Sequence, residues 1–567
     1  MTGGSEATEP LTNKPPEELF KNALKDRTNK HPEEIFKNAL KDRNWSEVHS
    51  ILDNSLTLFC TDTGGQPEFQ EVLPALIAGP TVFMLIFRVT DQLDDMFEIK
   101  YVESADRKSV PYMSSFTLRQ VILQSLASIA SITTFKRIDE DQVVSIKPQV
   151  LLVATHKDQA SKRIPELQQE LMELLASTEY YKKNIIRFAS ENTPAFIVNN
   201  LSDDEDDHQL IRSKVEEIAS DKLYKEDTPA PWLVLGLVLR DLGVEAISYD
   251  HCLSIANDCG ISTKEQLNEA LWFLHVKLGL IRYFHDIPEL QDVIILQPKV
   301  IFCNITELIA GTFVFAIVGQ HATDNFKKHG IFSSNDIERL AQLSNELLPV
   351  SKMVKLLEHL HILAPIQEDN RVDYFLPCVL AHAPEAQSST YTPLAPRLIL
   401  AFRCGYCPKG IFSALVVYLL SQKDSDLSWV LDKSTLFRDQ VHFRVGKHKH
   451  HITIRMCLTH LEVSVEETEI PQFRGKSKPH ELCTAIREAL AKAIMAVSQT
   501  LHYSSSAALK IGFYCTDPSC AGNPQHTAVC DEDPHPETMQ CMKTSSWMAL
   551  SPSELVWFGE QLVSVCH

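Results

Sequence analysis

Leu56-Thr57-Leu58-Phe59-Cys60-Thr61 runs directly into Asp62-Thr63-Gly64-Gly65-Gln66, and this stretch is the strongest indication of the fold in the first half of the chain. The first six residues are mostly apolar and β-prone, so they predict a strand with a D-x-x-G-Q pattern at its end. A second strand-like run, Val150-Leu151-Leu152-Val153-Ala154, ends in Thr155-His156-Lys157-Asp158 further on. Two such motifs at strand ends indicate a nucleotide-binding α/β domain. The alternative interpretation is that both motifs are turns that cap buried strands and bind no ligand.

The residue types in these motifs suit the binding of a guanine nucleotide. Asp62 can hold a Mg²⁺-bound water, Gly65 lets its backbone N–H approach a γ-phosphate, and Gln66 can orient an attacking water. Asp158, in the T-H-x-D motif that begins at Thr155, can accept two hydrogen bonds from a guanine edge. These five residues form the predicted site, with Gln66 as a vestigial catalytic candidate, GTP or GDP as the ligand, and Mg²⁺ only together with nucleotide.

The phosphate-binding pattern G-x-x-x-x-G-K-[ST] does not occur in this sequence. Residues 474–477 carry its tail, but residue 470 is Ile and the segment follows the D-x-x-G-Q motif instead of preceding it, so a solvated loop is expected there. The missing loop would supply the amides and the ammonium group that neutralise a triphosphate. The sequence therefore predicts either a degenerate domain that does not hydrolyse GTP, or a GTPase whose phosphate-binding segment is missing from this record.

Composition limits the class of protein. A length of 567 residues predicts three or four domains, and a hydrophobic content of 44% is that of a globular protein. The net charge of -20 argues against a general nucleic-acid or anionic-membrane surface. The longest apolar run, 72–87, is interrupted by Pro74 and Gly79-Pro80 and is too short to span a bilayer. Fourteen scattered cysteines fit reduced thiols better than a disulfide framework, so we predict a cytoplasmic protein.

The strand and helix pattern changes along the chain. Residues 13–27 return almost unchanged as 29–43, which predicts a short helical arm. Continuous apolar strands then alternate with amphipathic helices up to about residue 224, which predicts a partial Ras-like parallel sheet covered on both faces. The predicted strands are 56–61, 82–89, 150–155 and 195–198, and the predicted helices begin near residues 118 and 209.

The second half reads as α+β. A helix, a strand, a loop and a strand occur in that order twice, over residues 267–296 and 353–376, which is typical of tandem winged helices. DNA binding is not favoured, because neither helix is rich in Arg or Lys. A sheet-plus-helix region follows, with predicted strands at 397–402, 440–445, 452–458 and 461–465 and helices at 411–420 and 481–499. Between two of these strands, His448, His450 and His451 predict a hairpin turn with solvated imidazoles, and metal binding is the alternative. The C-x2-C pattern at 404–407 is expected on a strand, where its cysteines pack in the core.

The C-terminal tail contains a candidate metal site. Thiolate and imidazole groups amid Pro and Gly can close a tetrahedral zinc site, although the spacing is not the paired C-x2-C of a zinc ribbon. Reduced structural cysteines are the alternative. The candidate zinc ligands are Cys515, Cys520, His526, Cys530 and Cys541.

The order of these parts resembles the ROCO family, in which a Roc GTPase domain precedes a COR domain. The resemblance rests on D-x-x-G-Q at 62–66, T-H-x-D at 155–158 and Phe375-Leu376-Pro377, and it covers roughly residues 56–465. It implies a COR-A half of winged helices, a COR-B half of sheet plus helices, intracellular signalling, and a possible homodimer through COR. The chain departs from the family in lacking the Walker-A loop.

Five segments and three functions follow from this reading. We predict a non-catalytic or degenerate ROCO-type signalling or scaffold protein. The alternatives are a GTP-binding ROCO GTPase recorded without its N-terminal P-loop segment, and a zinc-stabilised interaction module. The predicted segments are 1–50 (helical arm), 51–226 (incomplete Roc-like domain), 227–385 (COR-A-like), 386–500 (COR-B-like) and 501–567 (Cys/His-containing tail).

Overall fold

The structure is a computed structural model, and every structural statement below refers to the residues that it describes. The predicted helical arm, the predicted strand 56–61 and the motif residues Asp62, Gly65 and Gln66 lie outside them. Among the described residues, none of the helices has the length and apolar character needed to cross a membrane. The described residues are 71, 73–77, 81–102, 109–132, 135–139, 142–176, 178, 181, 185–201, 205–221, 228–298, 301, 329–333, 347–368, 371–380, 382–383, 393–422, 427–434, 436–467, 478–503, 509–516, 520, 527–530, 536–542 and 544–559.

The first region contains a small parallel sheet, as the sequence predicted. Its strands run in the order β1-β6-β7, all parallel, while β2 with β3 and β4 with β5 form separate antiparallel pairs. The elements in chain order are β1 (Val82–Arg88), β2 (Met96–Val102), β3 (Ser109–Thr117), α1 (Leu118–Ser131), β4 (Phe135–Asp139), β5 (Gln142–Ile146), β6 (Gln149–Thr155), α2 (Ile164–Ala176), β7 (Ala195–Ile197) and α3 (Glu205–Ser220).

The central strand β6 is buried along its whole length because helices cover both of its faces. On one face, Val150 and Leu152 belong to a core with apolar residues of α1 and α2. On the other face, Leu151 and Val153 belong to a core with residues of α3. Burial on both faces explains why β6 is a continuous apolar run in the sequence instead of an alternating one.

The middle region consists of helices and two three-stranded antiparallel sheets. The sheets have the orders β8-β10-β9 and β11-β13-β12. Each holds two strands that follow a helix, in the order predicted from the sequence, and their identification as winged helices stays a prediction. The elements are α4 (Ala230–Asp241), β8 (Ala246–Ser248), α5 (Tyr249–Asp258), α6 (Lys264–Trp272), β9 (Arg282–Tyr283), β10 (Val293–Ile295), β11 (Ile331–Ser333), α7 (Val350–His359), β12 (Ala364–Glu368) and β13 (Arg371–Phe375).

The last region is built on one nine-stranded sheet of order β15-β16-β17-β18-β14-β19-β20-β21-β22. Helices α8 and α9 belong to the same hydrophobic core as the central strands of this sheet. The strands beyond residue 501 continue the sheet that begins with β14. The elements are β14 (Leu398–Phe402), α8 (Ile411–Ser421), β15 (Val430–Leu431), β16 (Gln440–Val445), β17 (His450–Met456), β18 (His460–Glu466), α9 (Pro479–Thr500), β19 (Leu509–Tyr514), β20 (Thr527–Cys530), β21 (Thr538–Cys541), β22 (Trp547–Ala549) and α10 (Pro552–Leu555).

One local expectation from the sequence is confirmed only in part, and another is wrong. The histidines near residue 450 suggested a hairpin turn with solvated imidazoles, but the turn spans 446–449, and His450 and His451 are buried in β17. Cys404-Gly405-Tyr406-Cys407 suggested a strand, but these residues form the turn that follows β14, with Gly405 in the left-handed region at φ +83°.

Candidate functional site

The predicted guanine-binding motif lies at the carboxyl end of β6. The Thr155 hydroxyl donates to the carbonyl of Phe87 at 3.2 Å, which ties the end of β6 to β1. His156 follows the strand and has φ +65°, which lies in the left-handed region. Asp158 is exposed in the loop that follows, so its carboxylate is accessible to a ligand.

The loop that follows β7 lies beside the T-H-x-D motif. The backbone N–H of Lys157 donates to the carbonyl of Val198, which follows β7, at 3.3 Å. The Lys157 ammonium also donates to Asp207 of α3 at 2.6 Å. Ligands of open parallel sheets bind at the carboxyl ends of strands. We call residues 155–158 and 198–200 the base edge, because they form the part of the sheet where a guanine edge could reach Asp158.

The structure places only part of the predicted nucleotide site. Thr155 and Asp158 lie at the base edge, whereas Asp62, Gly65 and Gln66 lie outside the described residues. The loop after β7 was not singled out in the sequence, because it carries no motif and follows a three-residue strand.

A second polar site joins the first region to the nine-stranded sheet. We call residues 404–410, which connect β14 to α8, the junction loop. The backbone N–H of Lys409 donates to the Ser128 hydroxyl at 2.8 Å, and the Lys409 ammonium donates to the Ser125 hydroxyl at 2.8 Å. Both serines lie on α1, one turn apart, so this face of α1 holds one residue of the junction loop by two atoms.

Further contacts hold the backbone carbonyls of the junction loop. The Gln124 amide of α1 donates to the carbonyl of Cys407 at 3.3 Å, and the Tyr181 hydroxyl donates to the carbonyl of Cys404. The Tyr503 hydroxyl, which follows α9, donates to the carbonyl of Lys409 at 2.7 Å. Backbone polar groups that leave water need such partners, so these bonds let a loop be buried.

Glu71 supplies the cap of helix α8 from the other side of the junction. One oxygen of its carboxylate accepts from the backbone N–H of Gly410 at 3.0 Å and from the Ser413 hydroxyl at 3.2 Å. Gly410 has no side chain with which to cap α8 itself. A carboxylate at a helix N-terminus satisfies the unpaired amides there and interacts favourably with the helix dipole.

Burial changes the proton affinity of the two ionisable groups at the junction. It raises the pKa of the Glu71 carboxyl above its usual value, although the nearby Arg438 guanidinium and the Gly410 amide oppose this shift. It lowers the pKa of the Lys409 ammonium to about 8, which the Glu71 carboxylate partly opposes. The desolvation of charge is the larger effect for both groups.

Gly410 is required by this arrangement for two reasons. Its φ of +78° lies in the left-handed region that favours glycine. A Cβ at this position would also overlap the backbone carbonyl oxygen of Glu71. The close approach of the two backbones therefore depends on the absence of a side chain.

The middle region also reaches the junction. The Arg438 guanidinium donates to the carbonyl of Leu380 at 2.9 Å, and the carboxylate of Asp439 accepts from the backbone N–H of Ala383 at 2.7 Å. A small cavity lies where the three regions meet. It is lined by Glu71, Ala75, Leu360, His361, Ile362, Cys378, Gly410, Ser413, Ala414 and Leu501.

The contacts of this junction leave little trace in the sequence. Ser125 stands among apolar residues on the inward stripe of α1, and Lys409 directly precedes the apolar helix α8. A polar residue within an apolar stripe signals a buried hydrogen bond, but it does not name the partner. Glu71 and Gly410 are 339 residues apart, so no local pattern connects them.

The predicted metal ligands are only partly brought together. The sulfur atoms of Cys515, Cys520 and Cys541 all lie within 4.8 Å of one another. Cys530 is not part of this cluster, and burial raises the pKa of its thiol to about 12. His526 lies outside the described residues.

Comparison with known protein families gives a match in the middle region of the chain. Residues 229–380 match the family model of the COR-A domain, described as C-terminal of Roc. Residues 229–380 are therefore similar to the COR-A domain that follows Roc, which supports the resemblance to ROCO proteins in this part of the chain. A search of the curated proteins gives no match.

Solved structures also match, among them that of Methanosarcina barkeri Roco2 RocCORdC bound to GDP. This chain is 14% identical to that protein with a TM-score of 0.31, over 58% of this chain and 100% of the other. A likeness at this level supports no argument about the site.

Proposed function

We propose that this chain is a ROCO-type signalling protein whose Roc-like region is a non-hydrolysing scaffold element fixed to the COR-B-like sheet. The observation that carries the proposal is the junction loop, whose buried polar atoms are bound by α1 and by Glu71. Glu71 lies five residues after Gln66 in the sequence. A partner that moves the segment after the D-x-x-G-Q motif would therefore disturb the cap of α8.

The same proposal assigns a minor role to nucleotide. Asp158 is accessible at the base edge and can accept hydrogen bonds from a guanine edge. Most of the affinity for a nucleoside triphosphate comes from backbone amides and cations that neutralise the phosphates. The sequence has no P-loop pattern to provide these groups. We expect guanine nucleotides to bind with a dissociation constant weaker than about 1 µM.

Calorimetric titration of GTP and GDP into the full chain, together with a phosphate-release assay, tests this part. The expected result is weak or absent binding and no phosphate release. Asp158→Ala is compared with Glu191→Ala, which removes an exposed carboxylate before β7, at the opposite edge of the sheet. Sub-micromolar binding or hydrolysis that Asp158→Ala abolishes and Glu191→Ala leaves intact would overturn the scaffold proposal.

Hydrogen exchange tests the role of the junction. In Glu71→Ala the first amides of α8 lose their cap, so they are expected to exchange faster than in the unmodified chain. Glu488→Ala is a matched control because Glu488 is an exposed carboxylate on α9 that pairs with Arg487 at 3.3 Å. Equal protection of α8 in the two variants would show that Glu71 does not hold the regions together.

A second candidate function, GTP binding by a ROCO GTPase recorded without its P-loop segment, is favoured by one observation. Met84 and Ile86 of β1 are 44% and 66% exposed. Their register partners on β6, Leu151 and Val153, are buried beneath α3. Parallel sheets are normally covered on both faces, so this apolar part of β1 suits a further covering segment.

Transcript sequencing upstream of Met1 distinguishes the two candidates. An in-frame G-x-x-x-x-G-K-[ST] segment would support the GTPase and contradict the non-hydrolysing scaffold. An upstream stop codon without such a segment would support the scaffold.

The remaining parts of the proposal concern location and assembly. We place the protein in the cytoplasm, with protein partners and without nucleic acid, and we propose that it forms a homodimer through its COR region. Light scattering after size-exclusion chromatography tests assembly. A mass that stays at 64.0 kDa over a wide concentration range would contradict the dimer.

A further inference from the structure

A cluster of three thiols in the C-terminal part of the nine-stranded sheet has the spacing of a metal site. The sulfur atoms of Cys520 and Cys541 are 3.7 Å apart, and that of Cys515 lies within 4.8 Å of both. A disulfide requires about 2.05 Å between its sulfurs. Thiolates bound tetrahedrally to zinc at about 2.3 Å stand about 3.8 Å apart. We propose that Cys515, Cys520 and Cys541 bind a Zn²⁺ ion.

The sheet brings these ligands together from distant positions. Cys515 directly follows β19, and Cys541 is the last residue of β21. Strand β20 lies between them, and its residue Ala528 is the register partner of Cys541 on one side and of Phe513 on the other. Cys520 comes from the connection between β19 and β20. An ion at this point would therefore join two strand ends and a connection.

The surroundings of the cluster suit thiolate ligands. Cys541 is 1% exposed and Cys520 is 6% exposed, so both sulfurs are removed from water. The backbone N–H of Thr544 donates to the sulfur of Cys541 at 3.3 Å. Such a bond favours negative charge on sulfur and orients the ligand. Buried thiolates without a cation would be costly, and a divalent ion removes that cost.

The register excludes Cys530 from the ligand set. Cys530 lies opposite Met539, two positions along β21 from Cys541, and so it is too far along the strand to share the ion. The site therefore has three thiolates, which leaves the fourth tetrahedral position for water. Because one ligand directly follows β19, one ends β21 and one lies in the connection between β19 and β20, zinc would stabilise the outer part of the sheet.

Elemental analysis of the full chain, produced with added zinc and purified without chelator, tests the site. The unmodified chain is expected to hold one zinc ion, and Cys520→Ser and Cys541→Ser are each expected to lose it. Cys530→Ser is the matched control, because Cys530 lies in the same sheet outside the cluster and should keep the metal. The absence of zinc from the unmodified chain, or equal loss in Cys530→Ser, would overturn the proposal.

Two further measurements keep the test decisive if a variant fails to fold. Cobalt added to the metal-free unmodified chain should give the near-ultraviolet absorption of sulfur-to-cobalt charge transfer, and zinc should displace it. Peptide mapping under non-reducing conditions should find Cys520 and Cys541 unlinked. A Cys520–Cys541 disulfide, or no cobalt–sulfur absorption, would contradict the zinc site.

Discussion

The base edge and the junction loop are both loops at strand ends, yet they differ in burial. Asp158 at the base edge is exposed, whereas Lys409 in the junction loop is 8% exposed. The base edge is formed by residues close to β6 and β7 in the sequence. The junction loop is held by four separate parts of the chain, which are α1, Glu71, Tyr181 and Tyr503.

This difference in burial distinguishes a loop that could bind a ligand from a loop that holds regions of the fold together. A loop that binds a ligand must leave its polar groups accessible, so substitutions there change binding more than stability. A buried loop must satisfy its polar groups internally, so substitutions there change stability and the relative position of the regions. The following predictions test this contrast in order of decreasing effect.

The largest effect is expected for Gly410→Ala. The added Cβ would meet the Glu71 backbone in a left-handed conformation, so the free energy of unfolding should fall by about 3 kcal/mol or more, measured by denaturant unfolding. Gly405→Ala is the control, because Gly405 also has a positive φ but no atom within 4 Å of the added Cβ. It should cost only about 1 kcal/mol. Equal losses would show that the junction has room to adjust.

Lys409→Met should change how stability depends on pH. Burial lowers the pKa of Lys409 from 10.5 to about 8, so the unfolded chain binds more protons between these values. Lys409 therefore makes the unfolding free energy rise with pH in this window, by at most about 3 kcal/mol. Subtracting the curve of Lys409→Met from that of the unmodified chain should reveal this rise. A flat difference would contradict the burial of the ammonium group.

Ser125→Ala should have an intermediate effect. It removes an acceptor of the buried Lys409 ammonium, and a hydrogen bond to a charged group contributes about 2 kcal/mol. Ser421→Ala is the control, since its hydroxyl donates to the carbonyl of Val417 one turn earlier in α8. Such a bond within a helix contributes little. Thermal unfolding of the two variants should therefore differ, and matching midpoints would weaken the contrast.

Asp158→Ala should have the smallest effect on stability, below about 0.5 kcal/mol, because the residue is exposed. Lys157→Ala serves for comparison, since it removes the partly exposed pair with Asp207 and should cost about 0.5 kcal/mol. Both values can be read from urea unfolding. A loss in Asp158→Ala as large as that in Gly410→Ala would remove the distinction between the two loops.

The pattern of apolar residues along the sequence predicted many of the strands and helices. The apolar run of β6 and the stripe on α1 predicted both correctly, because burial on two faces and the helical period leave a direct record in neighbouring residues. The order of helix, strand, loop and strand in the COR-A-like region also lies in neighbouring residues. The family match at residues 229–380 confirms the resemblance there. The buried histidines of β17 were misread, because polar residues suggest a turn unless their tertiary surroundings are known.

Sites built from distant segments could not be read in the same way. The sequence showed five candidate metal ligands but could not show that the register of β20 and β21 separates Cys530 from Cys541. It likewise showed Lys409 before an apolar helix, without showing that the Ser125 hydroxyl of α1 accepts a hydrogen bond from the Lys409 ammonium.

The amino-acid sequence alone determined the parallel strands, the helices of both halves and the T-H-x-D motif, since these depend on residues that are neighbours in the chain. The tertiary structure alone decided that Glu71 caps α8 and that three of the cysteines converge. Both facts depend on contacts between segments whose meeting is set by the packing of whole sheets and helices, which leaves no periodic trace in either segment.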